Sequence, residues 1–429
     1  MVRKIFFLFF LFSCSKGNSD LDGDVILDVR GDEFDIFDCY DLKDMHEKTE
    51  LVDSFDLSED LKIDDVFSEP PPWCVIPVRN CGENCRQLNC LGTAYDTARG
   101  PVWDVHGDIL AYFSVGPYSS GTGLYTVNIK TGEERKVLSY SDEYNDGWID
   151  AIALAMFEEK IVYWLSDDLS VPSSDSLHLF NLNTMEDSVL LSSEGGSFEG
   201  NMTFSFVDIY GDIIAWNGKD AGDPHDSTDL YIFDLTTMQR SFLTPCHPSF
   251  YDTRIWKRII IGQGWYRPDG DEVAYYDLDV GGDCLQYLYL PDSQLNPNIW
   301  ENRIVWEDFR GSRCSDIYWC ELSDCNPEPV STNWACQYMP VIEGDWVVWL
   351  DFRNDSNPLG YWSPDHDNIE IWGYNFSTGE EYQILSWNDV AVSNWMKIHQ
   401  GKLYFLANII PMSFARPSAV FEINLSQFL

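Results

Sequence analysis

The chain has 429 residues, 15% of them aromatic, and carries 27 Lys plus Arg against 71 Asp plus Glu, a formal net charge of -44. That length exceeds one ordinary compact core unless the fold is large and repetitive. The acidic balance excludes a nucleic-acid partner and adhesion to anionic lipid through a basic patch, since both rest on clustered basic residues.

The N-terminus reads as an address. Arg3 and Lys4 form a positive segment, Ile5 to Phe12 an apolar one, and "LFSC" ends at Cys14. Eight apolar residues are too few to span a bilayer but suit a signal peptide, assigned to residues 1–13. "LFSC" resembles the bacterial lipobox, whose Cys becomes lipid-modified and starts the mature chain. The resemblance makes Cys14 the lipidation site, and Ser15 after it implies an outer-membrane destination, periplasmic or surface-exposed. Membrane attachment is then expected through this anchor alone.

Residues 14–72 are expected to form a disordered acidic tether. Positions 20–70 hold 19 acidic and 4 basic residues, too little apolar area to offset chain entropy. Asp20, Asp22, Gly23 and Asp24 imitate part of a calcium loop. Val29 stands where the bidentate Glu belongs, so no metal site is read there. "SEPPPW" (Ser68 to Trp73) marks entry to a folded domain over 73–429.

That domain repeats one phrase, a tight turn followed by an apolar burst. Seven copies start at Gly107, Glu159, Gly211, Lys257, Asn302, Gly344 and Gly401, at intervals of 42 to 57 residues. Each is followed, after a polar loop, by a second apolar run such as "GLYTVNI" or "DIYWCEL", then a turn and an outer strand such as "RKVLS". Four short strands per 40–50 residues predict an all-β fold, a seven-bladed β-propeller. The continuous apolarity of "KIVYWL" and "DWVVWL" fits blades covered on both faces. The seventh copy ends at "VFEINLSQFL" with three strands. "NCRQLNCLG" (Asn84 to Gly92) reads like an outer strand, so the N-terminal strand is expected to complete the last blade and close the ring.

The fifth and sixth copies, "RIVWEDFR…DIYWCEL" and "WVVWLDFR…IEIWGYNFSTGEE", resemble the TolB-like family of bacterial envelope propellers. In that family a Trp, an Asp and an Arg recur near the loop, followed by Ile-Tyr and a Thr-Gly turn. The resemblance spans roughly residues 85 to 429 and implies a propeller with a binding role, without naming a ligand.

Twelve cysteines in an exported chain point to disulfides. Ten fall in clusters: Cys74, Cys81, Cys85 and Cys90; Cys246 and Cys284; Cys314, Cys320, Cys325 and Cys336. Cys320 and Cys325 flank a short hairpin connection and are expected to pair. The first cluster lacks the paired C-x2-C spacing of a zinc site. No nucleophile elbow, zinc-protease His pair or phosphate loop occurs, and no catalytic residue, cofactor or metal is read.

Asp308 with Arg310 and Asp351 with Arg353 recur at equivalent positions. Repetition favours a loop latch, with Asp holding backbone N–H groups and Arg bridging blades. A binding face is expected on the long loops. It would gather Trp265, Tyr266 and Arg267 in the fourth copy and Tyr361, Trp362, Asp365 and His366 in the sixth. Tyr144 and Trp148 would join from the first link, with Arg310 and Arg353 beside them. The expected role is a lipid-anchored envelope module that binds another macromolecule, an envelope protein or polysaccharide. The rival expectation is a glycan-binding or glycan-active propeller, lyase- or hydrolase-like, using its central funnel.

Overall fold

Each tight turn of the repeat folds as a hairpin between an inner strand and a second strand. A computed structural model describes residues 85–89, 102–114, 123–139, 150–166, 176–192, 206–218, 228–243, 249–267, 270–310, 314–359, 368–386, 390–409 and 419–429. All of them lie in the unit Phe67–Leu429. Residues before 85, including Cys14 and the acidic segment, lie outside the described residues.

From the inside outward, blade 1 is Trp103–His106, Ile109–Ser114, Gly123–Asn128 and Glu134–Ser139. Blade 2 is Asp150–Phe157, Lys160–Ser166, Ser176–Asn181 and Glu186–Ser192; blade 3 is Val207–Tyr210, Ile213–Gly218, Asp229–Asp234 and Gln239–Phe242. Blade 4 is Ser249–Trp256, Ile259–Arg267, Gly270–Asp277 and Gln286–Tyr287; blade 5 is Gln294–Trp300, Arg303–Asp308, Asp316–Glu321 and Glu328–Ser331. Blade 6 is Gln337–Glu343, Trp346–Asp351, Glu370–Asn375 and Glu380–Ser386. Blade 7 takes Val390–His399, Lys402–Ile409 and Ala419–Asn424 from the C-terminal end and Cys85–Gln87 from the N-terminal end. Every sheet is an antiparallel meander, and the inner strands touch in sequence, blade 7 returning to blade 1. The protein is a seven-bladed β-propeller.

The tight turns need a left-handed residue directly after the inner strand. Gly107, Gly211 and Gly344 supply it at φ 58° to 62°, while Glu158, Lys257 and Glu301 adopt φ 52° to 56° with a side chain. The core is a set of wedges between neighbouring blades rather than one central mass. Val305, Ile317, Ile342, Val347 and Trp349 fill the wedge between blades 5 and 6, and Ala153, Trp164, Val207 and Trp216 the wedge between blades 2 and 3. All six residues of Trp346–Asp351 are buried, because neighbours cover both faces of the strand. Truncating a wedge Trp such as Trp349 to Ala would cost about 3–5 kcal/mol. Among the described residues no helix is long and apolar enough to cross a membrane.

Closure rests on Cys85–Gln87, which pairs antiparallel with Ala419–Asn424. Leu88 N–H donates to Val420 O at 2.8 Å, and Val420 N–H to Asn89 Oδ1 at 2.8 Å. Arg86 joins three parts of the chain. Its Nε meets Glu422 Oε1 at 3.0 Å and its Nη2 donates to Ile129 O of blade 1 at 2.7 Å. Lys402 and Tyr404 also donate to Glu422, at 3.1 and 3.0 Å. Burial pushes the Glu422 carboxyl up, but Arg86 and Lys402 outweigh burial and hold it below its ordinary value.

Deleting residues 74–92 is expected to lower the melting temperature of the whole ring in one transition. Without that strand, blade 7 exposes an open edge beside blade 1. A truncated chain that melts like the full-length one would overturn the clasp.

Candidate functional site

The inner strands surround a channel, and their last residues stand at equivalent positions just before the tight turns. In order they are His106, Phe157, Tyr210, Trp256, Trp300, Glu343 and His399. Six of the seven are rings, and consecutive rings touch. Centroids are 5.0 Å apart for His399 and His106, then 4.8, 4.6, 4.9 and 3.9 Å along the series to Trp300. Interplanar angles of 36° to 67° bracket one seventh of a full turn. The rings therefore follow the blade symmetry and overlap like the leaves of an iris.

Glu343 fills the seventh place. Its Oε2 lies 3.7 Å from His399 Nδ1, and its Oε1 accepts from Gln400 N–H at 2.5 Å. His399 Nε2 accepts from Gly107 N–H at 2.7 Å, which leaves the ring proton on Nδ1, facing Glu343. Burial, with His399 and Lys397 nearby, pushes the His106 imidazole down to about 4.

Two residues earlier on each inner strand stands a second layer: Asp104, Ala155, Asp208, Arg254, Asn298, Val341 and Lys397. Its two acids are staples. Asp104 accepts from its own neighbour Val105 N–H at 2.7 Å and from Met156 N–H of blade 2 at 2.7 Å. Asp208 does the same with Ile209 N–H at 2.9 Å and Ile255 N–H of blade 4 at 3.0 Å. Lys397 pairs with Asp104 at 2.5 Å. Arg254 lies over Phe206 and Trp395, 5.3 and 5.9 Å from their centroids. Burial pushes the Asp208 carboxyl up, with Arg254 opposing. These layers border a cavity of about 330 Å³, the lower end of the range that holds small ligands.

A third polar centre sits where inner strands of blades 4, 5 and 6 carry a bulge. Asp252, Asn296 and Met339 occupy it at φ 56°, 49° and 53°. The bulges of blades 5 and 6 turn donors toward the fully buried Glu307. Its Oε1 accepts from Asn296 Nδ2 at 2.6 Å and Met339 N–H at 2.7 Å, while its Oε2 has no partner among the described residues. Burial pushes the Glu307 carboxyl up to about 7, against the two hydrogen bonds, and Asp252 adds to the rise.

The opposite ends of the inner strands meet the long loops. Gln337 N–H bonds to Ser315 O, and Cys336 N–H to Pro358 O, so the links between blades and the loops after second strands share one face. On it the Asp–Arg pairs form latches of identical design. Asp308 accepts from Arg310 N–H at 2.9 Å, Nε at 2.7 Å and Nη2 at 2.6 Å, and from Trp306 Nε1 at 2.8 Å. Asp351 accepts from Arg353 N–H at 2.9 Å, Nε at 2.9 Å and Nη2 at 2.6 Å, and from Trp349 Nε1 at 3.0 Å. In blade 3, Gly218 stands where the Asp would be, and the Trp216 indole N–H finds no acceptor among the described residues.

Among the described residues the arginines do not make the expected bridge between blades. Arg353 reaches Glu381 and lies over Trp372, and Arg310 lies over Tyr318, all in their own blades. A buried carboxylate two residues away holds the Nε–Nη2 edge of each guanidinium and so keeps the group against its own blade. The neighbouring link is fastened by other groups. Asn333 Nδ2 donates to Asp351 Oδ2 at 3.0 Å, and a disulfide joins Cys314 to Cys336. Cys320 and Cys325 are bonded to each other, and Cys85 and Cys284 each belong to a separate disulfide.

Of the residues expected on a binding face, Trp265 is 58% exposed at the loop end of its strand. Tyr266 and Arg267 continue that strand. Tyr144, Trp148, Tyr361, Trp362, Asp365 and His366 lie outside the described residues, as do Cys74, Cys81, Cys90 and Cys246. Trp334, 67% exposed on the link before blade 6, was not singled out by the sequence, nor was the iris. The iris signal is present all the same, since the residue before each tight turn can be read once the seven copies are aligned.

No family model and no curated protein matches the chain. Solved structures do resemble it. TolB from Acinetobacter baumannii is 13% identical, over 64% of this chain and 63% of that one, with a TM-score of 0.41. The β-propeller domain of the Trilobed protease from Pyrococcus furiosus is 9% identical, over 75% and 92%, at 0.51. A puromycin-hydrolyzing peptidase of Mycobacterium tuberculosis is 11% identical, over 76% and 50%, at 0.52. The chain thus spans less than two thirds of TolB and half of the peptidase. At such identities the likeness is one of fold, the β-propeller.

Asp308→Ala is expected to cost about 3–5 kcal/mol in denaturant unfolding, because it strands a guanidinium and a buried indole N–H together. Asp351→Ala should cost as much or more, since Asn333 also loses its partner.

Two pH effects of opposite sign are expected. Between about 4.5 and 7 the folded chain keeps a proton on Glu307 that the unfolded chain releases, so stability falls as pH rises through that window. Glu307→Gln should raise stability above pH 7 by on the order of 2–3 kcal/mol, with little change near pH 4. His106 is the converse case. The unfolded chain takes up its proton first, so stability falls as pH drops from 6.5 toward 4. His106→Phe should flatten that acid limb in thermal melts.

Proposed function

We propose that the protein is an exported, lipid-anchored propeller of the bacterial envelope whose loop-rich face binds another envelope protein. The observation that carries this reading is the setting of Trp334. Its indole stands exposed between Asn333, tied to Asp351, and Cys336, tied to Cys314. A large aromatic side chain held out from a link fastened on both sides loses little entropy on docking, the property of a binding hot spot. Trp265, Tyr289 and Leu359 are exposed on the same face of blades 4 to 6. The lipid anchor rests on the sequence up to Cys14, and disulfides accord with an oxidising compartment.

Full-length protein recovered from washed membranes is expected to co-purify with its partner, and Trp265→Ala with Trp334→Ala to lose it without change in melting temperature. Cys14→Ser should move the chain out of the membrane fraction. Undiminished capture by the double variant would place the binding face elsewhere, and unchanged membrane partition of Cys14→Ser would remove the anchor.

A further inference from the structure

Blade 2 departs from the other blades on its third strand. Opposite the fourth residue of the second strand, blades 1, 3, 5, 6 and 7 place Tyr125, Tyr231, Tyr318, Trp372 and Phe421, and blade 4 places Ala274. Blade 2 places His178 there, opposite Tyr163, whose ring stacks on the imidazole at 5.0 Å and 17°. A phenol, indole or phenyl ring fills that place in five other blades.

The histidine instead gathers partners for both nitrogens. Ser176 Oγ lies 2.9 Å from His178 Nε2, and Asp187 Oδ2 lies 2.9 Å from Nδ1. Tyr163 O–H donates to Asp187 Oδ1 at 2.7 Å, which fixes the carboxylate. Burial pushes the Asp187 carboxyl up, but the hydrogen bonds from His178 and Tyr163 outweigh it and hold the group below its ordinary value. An ionised carboxylate only accepts, so Nδ1 carries the ring proton and Nε2 is left to accept from the Ser176 hydroxyl.

The repeat supplies the geometry. Residues i and i+2 of a third strand share a face, and the outer strand brings its own residue beside them. In blade 6 the same places hold Glu370 and Trp372, joined by an indole N–H donating at 2.8 Å. In blade 2 they hold a hydroxyl and an imidazole. His178 is buried, and Ser176 is half-buried at the start of its strand, the end that meets the loop-rich face.

We propose that Ser176, His178 and Asp187 form a nucleophilic serine site that hydrolyses small carboxylic esters. Ser176 Oγ bonds to the ester carbonyl carbon as its proton passes to His178 Nε2. The carbon–oxygen bond to the alcohol breaks, and the alcohol leaves with that proton. Water then gives a proton to Nε2 and its oxygen to the acyl carbon, and the acid departs as Ser176 recovers its hydrogen. Asp187 and Tyr163 are positioning residues that hold the imidazole in the accepting tautomer.

The test uses full-length protein, diisopropyl fluorophosphate and p-nitrophenyl acetate. One phosphoryl adduct is expected on Ser176 by peptide mapping, fluoride leaving as the oxygen–phosphorus bond forms. Ser176→Ala should abolish both the adduct and ester turnover at an unchanged melting temperature. His178→Phe restores the ring found in other blades and should slow labelling on the order of 100-fold or more. Asp187→Asn should lower kcat for the ester and leave KM unchanged. Folded wild-type protein that remains unlabelled at Ser176 overturns the proposal, as does ester turnover unaltered in Ser176→Ala.

Discussion

The middle of each second strand in this ring is buried on both faces, one against the preceding blade and the other against the following one. No blade can meet that condition alone, because a single four-stranded sheet covers neither of its own faces. The apolar side chains accordingly collect as wedges shared by neighbours, and the stability of each blade belongs to its boundaries. A ring of such units has a single weak point, the blade where the chain begins and ends. Cys85–Gln87 covers it, and Arg86 makes the cover specific by holding a carboxylate of blade 7 and a carbonyl of blade 1 at once.

The same logic governs the polar groups around the channel. Asp104 and Asp208 are acids inside a protein with a large acidic excess, yet each is committed to two backbone N–H groups, one on its own strand and one on a neighbouring inner strand. They join blades where side-chain wedges no longer reach. Lys397 and Arg254 offset their charge from adjacent inner strands. The iris beyond them joins blades by overlap of rings instead, so one end of the channel is held by dispersion and the other layer by charge. Glu307 shows what happens when a carboxyl in this setting receives donors on one oxygen alone: desolvation prevails, and the group holds its proton close to neutrality.

Repetition gives every blade the same frame, and chemistry appears where a blade departs from its siblings. Asp308 and Asp351 complete an indole-carboxylate-guanidinium latch that blade 3, with Gly218, does not have. The latches and the Cys314–Cys336 bond stiffen the loop face of blades 5 and 6, the neighbourhood in which Trp334 stands exposed. His178 is another departure. There a stacking position has taken a side chain with two nitrogens, and the strand register has already placed a hydroxyl and a carboxylate beside them.

The blade number, the four-strand unit and the N-terminal closing strand were legible in the sequence, because tight turns and doubly buried strands leave a period and an apolar density that survive divergence between copies. The Cys320–Cys325 bond was legible because only four residues lie between the pair. The Asp–Arg pairs were legible as latches, but not the direction of their arginines, which depends on which carboxylate is buried. Only the tertiary structure could bring His399 to His106, residues at opposite ends of the propeller sequence, or set Asn296 and Met339 on one oxygen of Glu307. Such contacts join different blades, and local pattern carries no information about which side chains meet across a wedge. Trp334 escaped notice for a related reason. A Trp in a short polar link reads as buried or exposed with equal ease until the bonds on either side of it are known.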